Sequence, residues 1–189
     1  MYRVRFVAPS VILGLMMVVG QPAMADPCVS GNVDANPITV ENCLPGSPSS
    51  VWDISGAGDD TLQGFATDIS VNRGDTVRFK INTSAPGYRI DIYRLGYYQG
   101  NGARKITTVA PTVAPPQSQP ACLTDPGTLL TDCGNWSESA SWSVPLDAVS
   151  GIYLARLVRT DDGGASHIAF IVRDDASTSD LLFKTSDTT

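Results

Sequence analysis

Histidine is almost missing from this chain: of 189 residues only His167 is one. With no Cys-x-x-Cys pair anywhere, the ligand sets of ordinary zinc sites are absent too. Basic residues are scarce, 13 Lys and Arg against 19 Asp and Glu, for a formal charge of -6. Nucleic acids and anionic membranes select clustered Lys and Arg, so neither is an expected partner. The chain lacks Gly-x-Ser-x-Gly, hence a nucleophile elbow, and it lacks the glycine orders that cradle phosphates. It has no Asp-x-Asp-x-Asp-Gly order for calcium either, although Asp59 and Asp60 follow a glycine pair. Nowhere does a long helical period with caps appear, which leaves an all-β protein as the expectation.

What is present begins with an address. Arg3 and Arg5 precede an apolar run from Phe6 to Val19, then Gln21-Pro22 and the small-residue site Ala23-Met24-Ala25. That layout predicts a secretory signal peptide over residues 1–25, the run being shorter than the roughly 20 residues a spanning helix needs. No second run of spanning length follows, so a secreted or periplasmic product with no membrane span after cleavage is expected. Cys28, Cys43, Cys122 and Cys133 all lie beyond that site, and four cysteines can pair in three ways. Local pairing, Cys28 with Cys43 and Cys122 with Cys133, is the simplest choice. Each bridge would close a short Gly- and Pro-rich loop and contribute about 3 kcal/mol by restricting the unfolded chain.

Period-two alternation recurs along the rest of the chain. It marks strands over Phe65 to Val71, Thr76 to Thr83, Tyr88 to Leu95, Arg104 to Val109, Trp136 to Val144, Gly151 to Arg159 and Ser166 to Arg173. Frequent turn residues between short strands describe an immunoglobulin-like β-sandwich of antiparallel strands, with Tyr153 placed where such domains carry a tyrosine corner. The expected division is a signal over 1–25, an irregular disulfide-held lead-in over 26–50 and the sandwich over 51–175. Residues 176–189 then read as a linker and the first strand of a downstream domain, since a lone strand from Asp180 to Thr185 would leave a free edge.

Tyr88 to Arg104, YRIDIYRLGYYQGNGAR, joins a strand to a glycine-rich aromatic turn. Tyr88, Ile90 and Ile92 fall on one face and Arg89, Asp91 and Tyr93 on the other, as in a half-buried strand. Trp52, Tyr97 and Tyr98 are the candidate ligand-binding residues, because exposed rings stack on apolar sugar faces; the competing expectation is that they bury against the loop glycines. His167 alternates with Ile168, Phe170 and Val172 and reads as a strand residue. No catalytic residue, metal ligand or cofactor is assigned.

Glu41 to Gly46, Trp52-Asp53-Ile54, Gly64 to Thr67, the Tyr93 to Arg104 run and Ser166 through Asp175 together resemble a region of large exported bacterial proteins similar to the N,N-dimethylformamidase large (beta) subunit. The resemblance covers most of the chain from about Glu41 onward, YRLGYYxGxGAR being its most specific part. It implies an amino-terminal β-sandwich that packs on a downstream α/β amidotransferase-like domain, where the amidase holds iron through tyrosine and glutamate side chains. Nothing here matches those ligands. The signal peptide and disulfides also depart from the cytoplasmic amidase. The expected function is therefore a non-catalytic accessory domain, with a secreted carbohydrate- or surface-binding module, its partner a polysaccharide, as the alternative.

Overall fold

The computed structural model describes Cys28, residues 36–180, Leu182 and Lys184. The expected signal peptide lies outside the described residues, and so does half of the strand expected from Asp180 to Thr185. In chain order the elements are α1 (Pro37–Asn42), α2 (Ser49–Trp52), β1 (Leu62–Ala66), β2 (Ser70–Asn72), β3 (Thr76–Thr83), β4 (Tyr88–Leu95), a 3-10 turn (Tyr98–Gly100), β5 (Ala103–Val109), β6 (Leu123–Thr124), β7 (Thr131–Asp132), β8 (Ala140–Ser143), β9 (Gly151–Arg159) and β10 (Ala165–Arg173).

Two sheets face each other, one ordered β1-β3-β8 and the other β2-β10-β9-β4-β5. The alternation read from the sequence explains why they stack. Val77, Phe79 and Ile81 of β3 meet Ile90 and Ile92 of β4, Tyr153, Ala155 and Leu157 of β9, and Ile168, Phe170 and Val172 of β10 in one apolar cluster. The Phe79 and Phe170 rings meet edge to face at 5.8 Å across the gap between the sheets. Adding β5 to the sheet that holds β4, β9 and β10 is the immunoglobulin-like plan with an extra edge strand. Tyr153 completes it: its buried hydroxyl donates to the Val149 carbonyl at 2.7 Å, four residues upstream, as a tyrosine corner does. Burial pushes that phenol well above its ordinary pKa.

Both expected disulfides are formed, Cys28–Cys43 and Cys122–Cys133. The second encloses a small hairpin in which β6 pairs with β7.

Four expectations need correction. Phe65 to Val71 is not one strand: the chain leaves the three-stranded sheet after Ala66, turns through Asp68 and the exposed Ile69, and enters the other sheet at Ser70. There β2 runs parallel to β10, the one exception among the described pairings to an antiparallel arrangement. Trp136 to Val144 is a strand only over Ala140–Ser143, because Trp136 turns aside to lie 5.7 Å from Phe65 and to donate to the Pro120 carbonyl. In the described part of the lead-in, α1 and the start of α2 stand where irregular backbone was expected. Asn36 caps α1 by accepting from the Thr39 N–H at 2.9 Å, and Pro37 starts the helix with φ preset. Finally, the outer face of β4 is only partly solvated: Asp91 and Tyr93 are buried there while Arg89 is exposed, and Arg94, in register with Tyr153, is buried on the inner face.

Candidate functional site

The turn between β4 and β5 is built by its backbone first. Tyr98 and Gln99 take positive φ, 40° and 58°, although neither is glycine, and Gly100 and Gly102 follow at 89° and 83°. A left-handed residue with a side chain costs about 1–2 kcal/mol, so something must hold this turn closed.

The lead-in supplies the hold. Asn42, at the end of α1, accepts from the Tyr97 N–H at 2.6 Å. Glu41, 7 % exposed, reaches the same turn from one residue earlier. Its Oε1 accepts from the Tyr98 hydroxyl at 2.8 Å and from Arg104 Nε at 2.8 Å, with Arg104 Nη2 at 2.6 Å. Arg94 closes the network from the far side, donating from Nη1 to Tyr98 Oη at 3.0 Å and from Nη2 to the Ser150 carbonyl at 2.8 Å. A half-buried guanidinium, Arg104, thus pairs with the carboxylate, and a buried one, Arg94, donates to the phenol that the carboxylate also holds. Burial, then the Glu41 contact, pushes the Tyr98 hydroxyl above its ordinary pKa against the pull of Arg94. Burial opposes the charge of Arg104, but Glu41 outweighs it and raises that group.

The lead-in and the turn also fit closely. A Cβ on Gly46 would meet the Asn101 and Tyr98 side chains at 2.6 and 2.7 Å, and one on Gly102 would meet the Trp52 ring at 2.8 Å. Trp52 is half-buried on that glycine, donating from Nε1 to the Asn101 carbonyl at 2.9 Å.

The three candidate binding rings therefore lie at one seam without sharing one exposed face. Tyr98 is wholly buried, Trp52 half-buried, and Tyr97 72 % exposed. His167 joins the seam from β10, its Nε2 donating to the Trp52 carbonyl at 2.6 Å. Burial, with the neighbouring Arg156 charge, lowers its pKa although that hydrogen bond raises it. Ser166 is turned elsewhere, donating to the Asp59 carbonyl, and the Asp59 carboxylate is committed to the Thr61 N–H and hydroxyl at 2.9 and 2.6 Å. Among the described residues no group of three or more His, Cys, Asp and Glu side chains is placed to hold a metal ion.

Sequence reasoning missed Glu41, Arg94 and Arg104 as a unit. Glu41 stands 57 and 63 residues from Tyr98 and Arg104, which leaves no local pattern, although Asn36-Pro37 is a readable helix start that places Glu41 on a helix.

These features define a β-sandwich domain whose most distinctive hairpin is latched by the segment that precedes the sandwich. A family model described as "N,N-dimethylformamidase beta subunit-like, C-terminal" matches residues 89–189, just over half of the chain. The chain belongs to that family. The matched stretch takes in Arg94, Tyr98 and Arg104, while Glu41 and Trp52 reach it from outside. Among solved structures, the chain is similar to an uncharacterized protein from Bacillus anthracis str. Ames, at 14 % identity over 57 % of this chain and 82 % of that one, with a TM-score of 0.35. No curated protein matches the chain.

Proposed function

We propose that this chain is a non-catalytic accessory domain of an exported N,N-dimethylformamidase-beta-subunit-like protein, and that it packs against a downstream α/β domain. The observation that carries the reading is the use made of the family hairpin. Its ionisable side chains, Arg94, Tyr98 and Arg104, are spent on one another and on Glu41 inside the protein, so none is free to bind or activate a substrate. Of the two tip tyrosines Tyr97 is the exposed one, as a contact residue for another surface would be.

Export is supported by the two disulfides, which persist in oxidising compartments, and by the layout of residues 1–25. Among the described residues no helix is long and apolar enough to cross a membrane. A polysaccharide platform would have to rest on Tyr97 with little help, because Tyr98 is buried and Trp52 half-buried.

The test compares this chain with one that continues past Thr189 into the downstream domain. Tyr97 is expected to be nitrated readily by tetranitromethane here and to be protected in the longer chain. Equal nitration in both would overturn the packing, and loss of glycan binding on Tyr97→Ala would favour the carbohydrate reading instead.

A further inference from the structure

The lead-in covers only part of the outer face of the five-stranded sheet. Beside it an open groove of about 730 Å³ is left over β5, β4 and β9. Its charged lining is Arg89, Lys105, Arg156 and Arg159 against the single carboxylate of Asp91, a strong local excess of cations on a chain of net charge -6.

Among the described residues, the pairing within the groove leaves Arg156 unanswered. Asp91, 2 % exposed, stands directly across from Arg156 in register, yet both its oxygens are committed elsewhere. Oδ2 accepts from Arg89 Nε at 3.0 Å, and Oδ1 from Lys105 Nζ at 2.8 Å and the Thr108 hydroxyl at 2.7 Å. Burial raises the Asp91 pKa, but those donors outweigh it and keep the carboxyl below the ordinary carboxylate range. Arg159 is answered by Asp161 at 2.7 Å. On the other side of Arg156, in register on β10, stands His167, which is turned to Trp52. Arg156 is half-buried, and its Nε is buried with no acceptor among the described residues. A buried donor of a charged group without a partner is costly, and a carboxylate oxygen is the acceptor that suits a guanidinium edge.

We propose that this groove binds an acidic peptide segment of a partner domain, with one carboxylate seated on Arg156 and its neighbours drawn by Arg89 and Lys105. Charge complementarity names the occupant. An acidic sugar chain is the weaker fit, since the groove's one aromatic, Tyr93, is 3 % exposed and gives no ring for a sugar face. The proposal rests on the accessory-domain reading for the source of the segment.

Its test uses the full chain and hexaglutamate as probe, followed by the ¹⁵N-edited NMR signal of the Arg156 Nε–H group. Saturable movement of that signal is expected with hexaglutamate and none with hexaglutamine, weakening as salt screens the charges. Arg156→Gln should reduce the affinity about tenfold or more, the loss of one charged hydrogen-bond donor, with the thermal midpoint measured alongside. No movement of the wild-type signal, or binding unaltered in a folded Arg156→Gln protein, would overturn the site. Tighter binding of oligogalacturonate than of hexaglutamate would overturn the peptide assignment. Either failure would leave the Tyr97 protection result of the accessory reading untouched, so the two can be told apart.

Discussion

Replacing Glu41 with Gln tests the latch between α1 and the hairpin most severely. The substitution keeps the side chain's shape but removes the charge that answers Arg104, and it leaves Tyr98 and Arg104 competing for one weaker carbonyl acceptor. Breaking a buried ion pair by removing one partner costs about 3–5 kcal/mol. The Arg104 side chain is 28 % exposed and can recover part of its solvation from water, so the lower end, about 3 kcal/mol, applies. With a urea slope of about 2 kcal/mol/M for a chain of this size, the unfolding midpoint should fall by about 1.5 M. The thermal midpoint should fall by about 6–12 °C. If the lead-in detaches alone, hydrogen exchange will show it first, at the amides that bridge lead-in and turn, such as Tyr97 and Ser47. Adding Tyr98→Phe to Glu41→Gln should cost less than the two changes separately, since both strip the same bond. A midpoint shift under about 0.5 M, or full additivity, would refute the latch, because an exposed pair gives no more than about 1 kcal/mol.

Other outcomes follow from the same contacts. Gly102→Ala should destabilise by about 1–2 kcal/mol through its positive φ alone, and more through the Trp52 ring, read as quenched or shifted tryptophan emission together with a lowered midpoint. Tyr153→Phe removes the corner hydrogen bond to Val149 and should cost about 1 kcal/mol in urea unfolding, with the fold's circular dichroism retained. His167 has a folded pKa below its unfolded value, so its contribution is fully present above about pH 6.5 and declines as pH falls toward the folded pKa. A stability profile from pH 7.5 to 5 should therefore slope downward, and His167→Gln should flatten it; an unchanged slope would remove His167 as its source.

The strands were readable because each buries one apolar face. Thr76–Thr83 and Gly151–Arg159 alternate or run apolar enough that side-chain direction follows from position alone. Phe65 to Val71 misled because alternation continues across the crossing from one sheet to the other, where only the exposed Ile69 betrays the break. The outer face of β4 misled for another reason. Asp91 looks like a solvent-facing residue, and it is buried because Lys105 and Thr108, partners on the next strand, satisfy it; Arg94, on the inner face, is buried because the Ser150 carbonyl and Tyr98 do the same. The paired tyrosines were legible as a special turn, but which ring was exposed was not: the choice depends on Glu41 approaching Tyr98 from across the fold.

The proposed accessory role is put to the test by incubating the purified chain with N,N-dimethylformamide and measuring dimethylamine release. No release above the buffer rate is expected, and release that scales with protein concentration would overturn the proposed role.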